Sequence, residues 1–368
     1  KKMNLKIDYA YKFKLSLKDK IKFYKLNWNN KILSDETFYR WQFISSNQAK
    51  KDKNIIACNT DDNTIVGIMG LNERYFWLKN KKLKSCELTT WCVRKDLYNK
   101  GIGPKILDFL KKKYDVLIGM SISDDALSVY LRKDFQYSDS IPRFVKIYDF
   151  IKVKDLSVYK NFFPKLLRYK DTQNNINKFY YKKPTNNQFN QVFNFFKKNT
   201  NCFDRTSSKM NWRLKKHPKY KYNSFIVSSD NKFEKNLIII LRIENYKNLK
   251  LLRIIDFYGN NKSYFSGLSF IDYYSRKHKI NLVDFFSTNS LINKYFINHN
   301  WISIKDSNFF DFPHLFEPLE FRKPSSTSLI YWSKKNLFEF SDLSKTYFSK
   351  QDCDFDRPAY FQNDKRKI

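Results

Sequence analysis

The chain has 368 residues, of which 42% are hydrophobic and 18% aromatic, so it carries enough apolar surface for two hydrophobic cores. Its 70 Lys and Arg residues against 36 Asp and Glu residues give a formal net charge of +34, which favours anionic partners. The basic residues are spread along the whole chain, which is typical of codon bias in an AT-rich genome and argues against a dedicated nucleic-acid surface.

The first half of the chain alternates strand-like and helix-like patterns. Two β-branched runs around a turn-rich segment predict an antiparallel hairpin, and a strand, an amphipathic helix, a buried strand and a second helix follow. In chain order these elements cover 55–69, 87–93, 104–110, 116–120 and 124–132.

The second half repeats this order of elements, although few residues are shared. Trp41 and Trp212 open corresponding segments in the two halves. The five later elements recur at 225–243, 251–257, 270–278, 282–286 and 291–295. The pattern predicts a duplicated domain joined near 169–178, where the composition is that of a linker.

Cysteine spacing and hydropathy indicate in which cellular compartment the protein is expected. The five cysteines form no Cys-x-x-Cys pair, which predicts reduced thiols and neither disulfides nor a metal site. The first residues lack the apolar stretch of a signal peptide, and the longest apolar runs, such as 237–241, are strand-sized. We therefore expect a cytoplasmic protein without membrane insertion.

A glycine turn is the clearest chemical feature of the first half. Gly101 and Gly103 lie between the predicted strand over 87–93 and the helix that Pro104 opens. Glycine allows a ligand to approach the main chain, and a helix N-terminus directs free N–H groups at an anion such as a diphosphate. Alone, the turn is equally consistent with an ordinary helix start.

Two motifs around this turn resemble the signatures of the GNAT superfamily of N-acetyltransferases. Residues 93–103 resemble the strand ending in Val, the short link and the Arg/Gln-x-x-Gly-x-Gly/Ala turn, and residues 125–135 resemble Asn-x-x-Ala-x-x-x-Tyr-x-x-x-Gly-Phe. Tyr98 replaces the Arg/Gln of the first motif, and Asp134 replaces the Gly of the second.

The resemblance, together with the repeat, implies an α/β fold of two tandem GNAT-like domains, each a mixed, mostly antiparallel sheet flanked by helices. Residues 1–168 would form the acyl-CoA-binding domain, and residues 169–368 would form a degenerate acceptor-binding domain with a tail. The donor would be acetyl-CoA or another acyl-CoA. Its pyrophosphate would lie on the turn and its pantetheine beside the strand, in contact with Trp91, Cys92, Val93, Asn99, Lys100, Gly101, Ile102, Gly103, Pro104, Lys105 and Asp125.

Three residues are candidates for proton transfer. Tyr130 matches the position from which the family protonates the CoA sulfur, and its alternative is a core aromatic. Glu87 lies six residues before Val93, which places both on one strand face, so Glu87 is a candidate base or a solvated carboxylate. His217 is a second candidate base, or a helix terminator before Pro218. A backbone N–H near Val93 could stabilise the oxyanion.

The second half lacks the Gly-x-Gly arrangement at 257–262, so a second CoA site is not expected. Its segment 212–220 and the tail 352–358 resemble tandem-GNAT proteins of bacterial surface-polysaccharide clusters. That likeness implies a nucleotide-linked amino sugar as acceptor. The residues expected to bind it are Trp212, Arg213, Arg253, Asp256, Asp352, Asp354, Asp356 and Arg357.

Two other functions are consistent with parts of the sequence. The positive charge would suit a Fem-type transferase that uses aminoacyl-tRNA, but the intact glycine turn argues for CoA instead. A non-catalytic nucleic-acid-binding module that kept only the fold is the third possibility, and its affinity would fall steeply with salt. The sequence leaves open the acyl group, the acceptor, the base and the oligomeric state.

Overall fold

The computed structural model describes residues 3–28, 31–46, 49–153, 177–304, 313, 315–316, 319–320, 326–334 and 342–353. The α-helices are α1 Leu17–Asn27, α2 Glu36–Tyr39, α3 Ile102–Lys113, α4 Asp124–Leu131, α5 Phe150–Val153, α6 Asn186–Phe196, α7 Ser207–Lys216, α8 Tyr264–Lys277 and α9 Ser290–Asn298. A π-helical turn, Arg40–Ile44, continues α2.

The strands of the first half are β1 Leu5–Tyr9, β2 Ile55–Asn59, β3 Thr64–Leu78, β4 Lys81–Val93, β5 Val116–Met120, β6 Gln136–Ser138 and β7 Arg143–Ile147. Those that follow are β8 Tyr180–Lys182, β9 Asn201–Phe203, β10 Asn223–Ser228, β11 Asn236–Tyr246, β12 Leu249–Gly259, β13 Leu282–Phe286, β14 Ile302–Ser303, β15 Leu315–Phe316, β16 Leu319–Glu320, β17 Leu329–Ser333 and β18 Thr346–Tyr347.

The described strands form two large mixed sheets built on the same plan. The first runs β1-β2-β3-β4-β5-β17-β6, with β9 and β18 beside β3, and the second runs β14-β7-β13-β12-β11-β10-β8. In the main strand order of each sheet, one parallel pair interrupts the antiparallel series, β4 with β5 or β12 with β13, and β9 and β18 pair in parallel at the side of the first sheet. The predicted repeat of hairpin, strand, helix and strand therefore corresponds to two equivalent sheets.

The two sheets exchange strands. β7 lies between β13 and β14 of the second sheet, and β17 lies between β5 and β6 of the first. The predicted domain boundary at residue 168 falls outside the described residues. The first sheet takes β9, β17 and β18 from beyond it, and the second sheet takes β7 from before it. The boundary stays a prediction.

Helix α3 packs on the first sheet because its apolar residues share one face. Ile102, Ile106, Leu107 and Leu110 are all buried there, and burying each such side chain contributes about 1.5–3 kcal/mol. The opposite face of the sheet is covered by α1, α2 and the π-helical turn, through a second cluster of buried aromatic residues. β4 thus separates an α3 side from an α1 side.

Helix α7 of the second half packs against the α1 side of the first. Trp212 stacks on Trp41 with ring centroids 4.6 Å apart, and each indole N–H donates to the other residue's main-chain carbonyl. Lys209 donates to the carbonyls of Ser46 and Glu73. The segments that begin at Trp41 and Trp212, which correspond to each other in the repeat, therefore contact each other across the junction between the halves.

Across the described part of the chain, no helix combines the length and apolar character needed to cross a bilayer. The same residues contain no group of three or more His, Cys, Asp or Glu side chains arranged to hold a metal ion.

Candidate active site

Strands β4 and β5 separate part-way along their length. Their parallel pairing extends from Ser85 with Val116 to Leu88 with Gly119 and then stops. Just beyond, β4 has a bulge against β3, and the bulged residue Thr90 has a positive φ of 43°. The last residues of β4 therefore border a gap on the side of β5.

Main-chain groups of β4 point into this gap. Arg94 N–H donates to the Val66 carbonyl, so in the alternating antiparallel pattern Cys92 also bonds to β3, opposite Ile68. Trp91 and Val93 then direct their N–H and C=O groups away from β3, toward β5. The expected amide near Val93 is therefore available to a ligand in the gap.

The glycine turn presents three consecutive amides at the start of α3. No hydrogen bond from the N–H groups of Gly101, Ile102 or Gly103 occurs among the described residues, and Gly101 adopts φ 74°. Around a Cβ built on Gly101 there is no atom within 4 Å, so a ligand can approach the main chain there. These features fit a diphosphate bound at a helix N-terminus.

Other residues predicted to bind the diphosphate at this turn do not add free main-chain N–H groups at Lys100, Pro104 or Lys105. Lys100 N–H donates to Leu97 and Lys105 N–H to Gly101, and Pro104 has no N–H. Asn99 adopts φ 64°, which shapes the turn. The proposed phosphate cradle, defined here as the main-chain amides of residues 101–103, is therefore shorter than the predicted span from residue 99 to 105.

Trp91 connects the turn to helix α4. A Cβ on Gly103 would come 2.6 Å from the Trp91 ring, so only glycine allows this contact. The indole packs edge-on against Tyr130, with centroids 5.0 Å apart, and its buried Nε1 has no hydrogen-bond partner among the described residues. An unused buried donor beside the gap is a group that a bound molecule could satisfy.

Tyr130 is 3% exposed, and within the described part of the chain its hydroxyl makes no hydrogen bond. Burial raises the pKa of Tyr130, with a smaller contribution from Cys86, so the phenol stays protonated at neutral pH. Tyr98, in the link that precedes the glycine turn, is 53% exposed. Burial raises the pKa of Tyr98, and Cys92 and Asp125 add to the effect.

Glu87 does not share a face with Val93, so that expectation is wrong. Leu88 and Val93 both pack in the α3-side cluster although they are five residues apart, because the bulge at Thr90 inserts one residue. Glu87 therefore faces the α1 side. Cys92 faces that side too, and its Sγ contacts the Asn27 carbonyl at 3.1 Å.

On the α1 side, Glu87 is held by two donors. Asn72 Nδ2 lies 3.1 Å and Arg74 Nη2 2.7 Å from the same carboxylate oxygen, Oε2. Glu87 is 2% exposed, so it is not the solvated strand-end carboxylate that was its alternative. The carboxylate is instead part of a buried network.

This network crosses between the halves through Asp352. Arg74 Nη1 lies 3.3 Å from Asp352 Oδ1, and Arg205 lies 2.6 Å from Asp352 Oδ2 and 2.8 Å from Asp256. Burial would lower the pKa of Arg205, but Asp256 and Asp352 raise it well above its ordinary value. Alternating charges thus connect β4 of the first sheet with β12 of the second.

Residues 346–353, here called the C-terminal segment, are all buried. The hydroxyl of Tyr347 accepts the N–H of Phe257 on β12 and donates to Asp256. At the last residue of β12, a Cβ on Gly259 would come 2.4 Å from the Asn236 carbonyl, in contrast to the open space at Gly101. The protein itself fills the region of the second sheet that corresponds to the gap in the first.

The other residues predicted to bind the acceptor are engaged inside the protein. Arg213 donates to the Lys350 and Cys353 carbonyls at 3.1 and 2.9 Å. Arg253 pairs with Asp284, which Arg143 and Lys350 also contact, and with Glu244. Trp212 stacks on Trp41 as described. Asp354, Asp356 and Arg357 lie outside the described residues.

His217 ends helix α7 and packs on Trp41, with ring centroids 4.2 Å apart. Its Nδ1 accepts the N–H groups of Lys219 and Tyr220 at 3.1 and 2.9 Å. In the neutral ring this places the proton on Nε2, which then donates and does not accept. The geometry suits the helix-terminator alternative.

Sequence reasoning missed the partners of Glu87. Asn72 and Arg74 lie on β3, and Gln351 and Asp352 reach the same guanidinium from the C-terminal segment. Asn72, Arg74 and Gln351 belong to no motif, and Asp352 was predicted as an acceptor ligand in the tail, with no partner on β3 foreseen. The local signal was the polar run Asn72-Glu73-Arg74 between the apolar ends of β3.

The sequence matches no protein-family model and no curated protein. Solved structures with a similar fold include N-myristoyltransferase of Saccharomyces cerevisiae with bound myristoyl-CoA, at 11% identity and a TM-score of 0.50, covering 89% of this chain and 82% of that one. A GCN5-related N-acetyltransferase from Anabaena variabilis has 10% identity and a TM-score of 0.56, with 90% and 74% covered. Another, from Kribbella flavida, has 9% identity and a TM-score of 0.52, with 90% and 73% covered.

The chain has the GNAT fold. The predicted α/β class with two GNAT-like mixed sheets is confirmed, since the similarity extends over about nine-tenths of the chain. In this GNAT fold, the separation of β4 from β5 and the amides of α3 lie side by side in the first half.

Proposed function

We propose that the protein is an N-acyltransferase that moves an acyl group from acyl-CoA to the amine of a small acceptor. The observation that carries this proposal is the set of three amides at Gly101, Ile102 and Gly103 that make no hydrogen bond among the described residues, with open space around Gly101. The fold supports it, because the similar structures are named N-acetyltransferases or N-myristoyltransferase, and the latter holds myristoyl-CoA.

In the proposed complex, the amides of residues 101–103 hold the diphosphate, and the main chain of Trp91 and Val93 bonds the pantetheine. Acyl-CoA would supply a thioester, whose carbonyl carbon bonds to the amine nitrogen while the thiolate departs. The Val93 N–H would stabilise the negative charge on the carbonyl oxygen. Tyr130 would give its proton to the departing sulfur, and its raised pKa means that the phenol still holds this proton when the thioester breaks.

Glu87 is the proposed base. It would accept a proton from the acceptor's amino group on the α1 side of β4. Glu87 lies three residues before Thr90, about 10 Å along the strand, so the proton would travel through water or the acceptor would extend across that distance. We propose Glu87 over His217 because the latter's Nδ1 is occupied by two main-chain amides.

The specific acceptor proposed is a nucleotide-linked amino sugar that binds between the two halves. The proposed place of the reaction is the cytoplasm. The support is the net charge of +34, which attracts a diphosphate, and the likeness of 212–220 and 352–358 to surface-polysaccharide acyltransferases. Acetyl-CoA is the proposed donor.

Calorimetric titration with acetyl-CoA and free CoA tests the donor site. We expect one equivalent of either ligand per chain, because only the first half has an open glycine turn. Binding should depend weakly on salt. No heat and no thermal stabilisation by either ligand would overturn the proposal, and tight, steeply salt-dependent binding of single- or double-stranded nucleic acid would favour the binding-module alternative.

A further inference from the structure

The side chain of Trp91 carries a hydrogen-bond donor that has no acceptor. Its indole Nε1 is buried and makes no hydrogen bond among the described residues. Buried N–H groups are nearly always paired, so this one indicates a group that the described part of the chain does not supply. An indole nitrogen donates and does not accept, so the missing partner is an acceptor atom.

The position of Trp91 distinguishes it from other indoles of the chain. Trp77 and Trp301 also have a buried Nε1 without a partner among the described residues, but both pack on the core cluster of the second half. Trp91 instead lies at the gap between β4 and β5, just past the last paired residues, Leu88 and Gly119. A molecule that enters the gap can therefore meet its N–H group.

The edge of the indole near Nε1 contacts the first turn of α3. Ring atoms Cζ2, Cη2 and Cε2 of Trp91 lie 2.6, 3.3 and 3.5 Å from the position that a Cβ would take on Gly103. Nε1 is bonded to Cε2, so the N–H group lies within one bond of an atom that contacts this turn. The indole N–H is thus a neighbour of the proposed phosphate cradle.

Tyr130 lies on another side of the same indole. The two rings pack edge-on with centroids 5.0 Å apart. The indole therefore lies between the amides proposed to hold the diphosphate and the hydroxyl proposed to protonate the sulfur. In CoA, these two ends are joined by the pantetheine arm, whose amide carbonyl oxygens are hydrogen-bond acceptors.

The diphosphate is a less suitable partner for this N–H group. The free amides at a helix N-terminus point along the helix axis, so a phosphate group on them lies beyond the end of α3. A Cβ points outward from the axis, and the Trp91 ring occupies the Cβ position of Gly103. The indole thus packs against the side of the first turn, which favours the pantetheine arm.

We infer that the indole N–H of Trp91 donates a hydrogen bond to a carbonyl oxygen of the pantetheine arm of acyl-CoA. This inference rests on the proposed function. It gives the two glycines of the turn different tasks, because Gly103 leaves space for the Trp91 ring and Gly101 leaves space for the ligand. The side chain of Trp91 acts on binding, and no covalent bond changes there.

Trp91→Phe tests the inference, because phenylalanine lacks the N–H group and keeps an aromatic ring beside Tyr130. Trp301→Phe is the matched control, since it removes another buried, unpartnered indole N–H, in the core of the second half. Nε1 makes no hydrogen bond among the described residues in either case, so each variant should lose only ring packing and should remain folded.

The first readout is calorimetry with CoA and with adenosine 3′-phosphate 5′-diphosphate, which is CoA without its pantetheine arm. Loss of one neutral hydrogen bond should raise the Kd for CoA about twofold to tenfold in Trp91→Phe and leave the Kd for the nucleotide unchanged. Trp301→Phe should bind both ligands as the wild type does. Equal weakening of both ligands in Trp91→Phe, or unchanged CoA affinity, would overturn the inference.

The second readout observes the N–H group itself, by NMR of the protein labelled with ¹⁵N-tryptophan. The chain has seven tryptophans, and the indole signal missing from Trp91→Phe identifies Trp91. CoA should move the proton of this signal downfield in the wild type, and the nucleotide should move it less. If CoA bound and the two ligands gave equal shifts, the inference would fall while the acyltransferase proposal stood. A wild type that binds neither ligand would remove the proposed function itself.

Discussion

Replacing Gly101 with alanine would separate the strain in the glycine turn from its capacity to hold phosphate. Gly101 has φ 74°, and an alanine in this left-handed conformation costs about 1–2 kcal/mol. The added methyl group meets no atom within 4 Å, so no steric cost adds to this strain in the free protein. Stability should therefore fall only slightly.

CoA affinity should fall much more. A diphosphate seated on the amides of residues 101–103 would occupy the space that the methyl group takes. Hydrogen bonds to a charged group contribute about 1.5–3 kcal/mol each, so losing two of them weakens binding by at least about a hundredfold.

Calorimetry would give the Kd for CoA, and thermal unfolding of the free protein would give the loss of stability caused by the backbone strain. Asn80→Ala is the control, because Asn80 adopts φ 62° in the turn between β3 and β4, remote from the glycine turn in sequence. The control should lose a similar amount of stability and keep its CoA affinity. If Gly101→Ala bound CoA as tightly as Asn80→Ala, the cradle would not be the phosphate site.

Three further predictions concern proton transfer and stability. Tyr130→Phe should lower kcat at least about a hundredfold with unchanged CoA affinity and unfolding temperature, and an unchanged kcat would make Tyr130 a core aromatic. Glu87→Gln should lower the free energy of unfolding by about 1.5–3 kcal/mol, because it removes one of the two carboxylates that contact buried Arg74 and leaves Asp352 as the other. Adding Arg74→Met should not restore turnover, and restored turnover would exclude Glu87 as the base. Burial would raise the pKa of Asp284, but its three basic neighbours lower that pKa below the ordinary value. The ionised carboxylate therefore stabilises the fold above a pH of about 4, and this stabilisation is lost as the pH falls further. Asp284→Asn should show a smaller drop in unfolding temperature on acidification than the wild type, and an equal drop would contradict this reasoning.

The sequence predicted the local structure around the candidate site well. The turn at Gly101 and Gly103, the amphipathic helix after it and the position of Tyr130 each depend on residues close together in the chain. Such features leave a pattern, because one helix or one turn is specified by neighbouring residues.

Features that depend on distant pairing left no pattern. The bulge at Thr90 adds one residue to a strand whose alternation looks regular, and it reverses the face of Glu87. Arg74 and Asp352 are 278 residues apart in the chain. The exchange of β7 and β17 likewise depends on strand pairing over long distances, which no local propensity specifies.

The exchange of strands has a consequence for biosynthesis. The first sheet lacks a strand between β5 and β6 until residue 333 has left the ribosome, so its core cannot close while the second half is still being made. A fragment ending before β17 would expose two unpaired strand edges, which promotes aggregation. Maturation of the proposed CoA cradle is thereby coupled to synthesis of the half that bears β17.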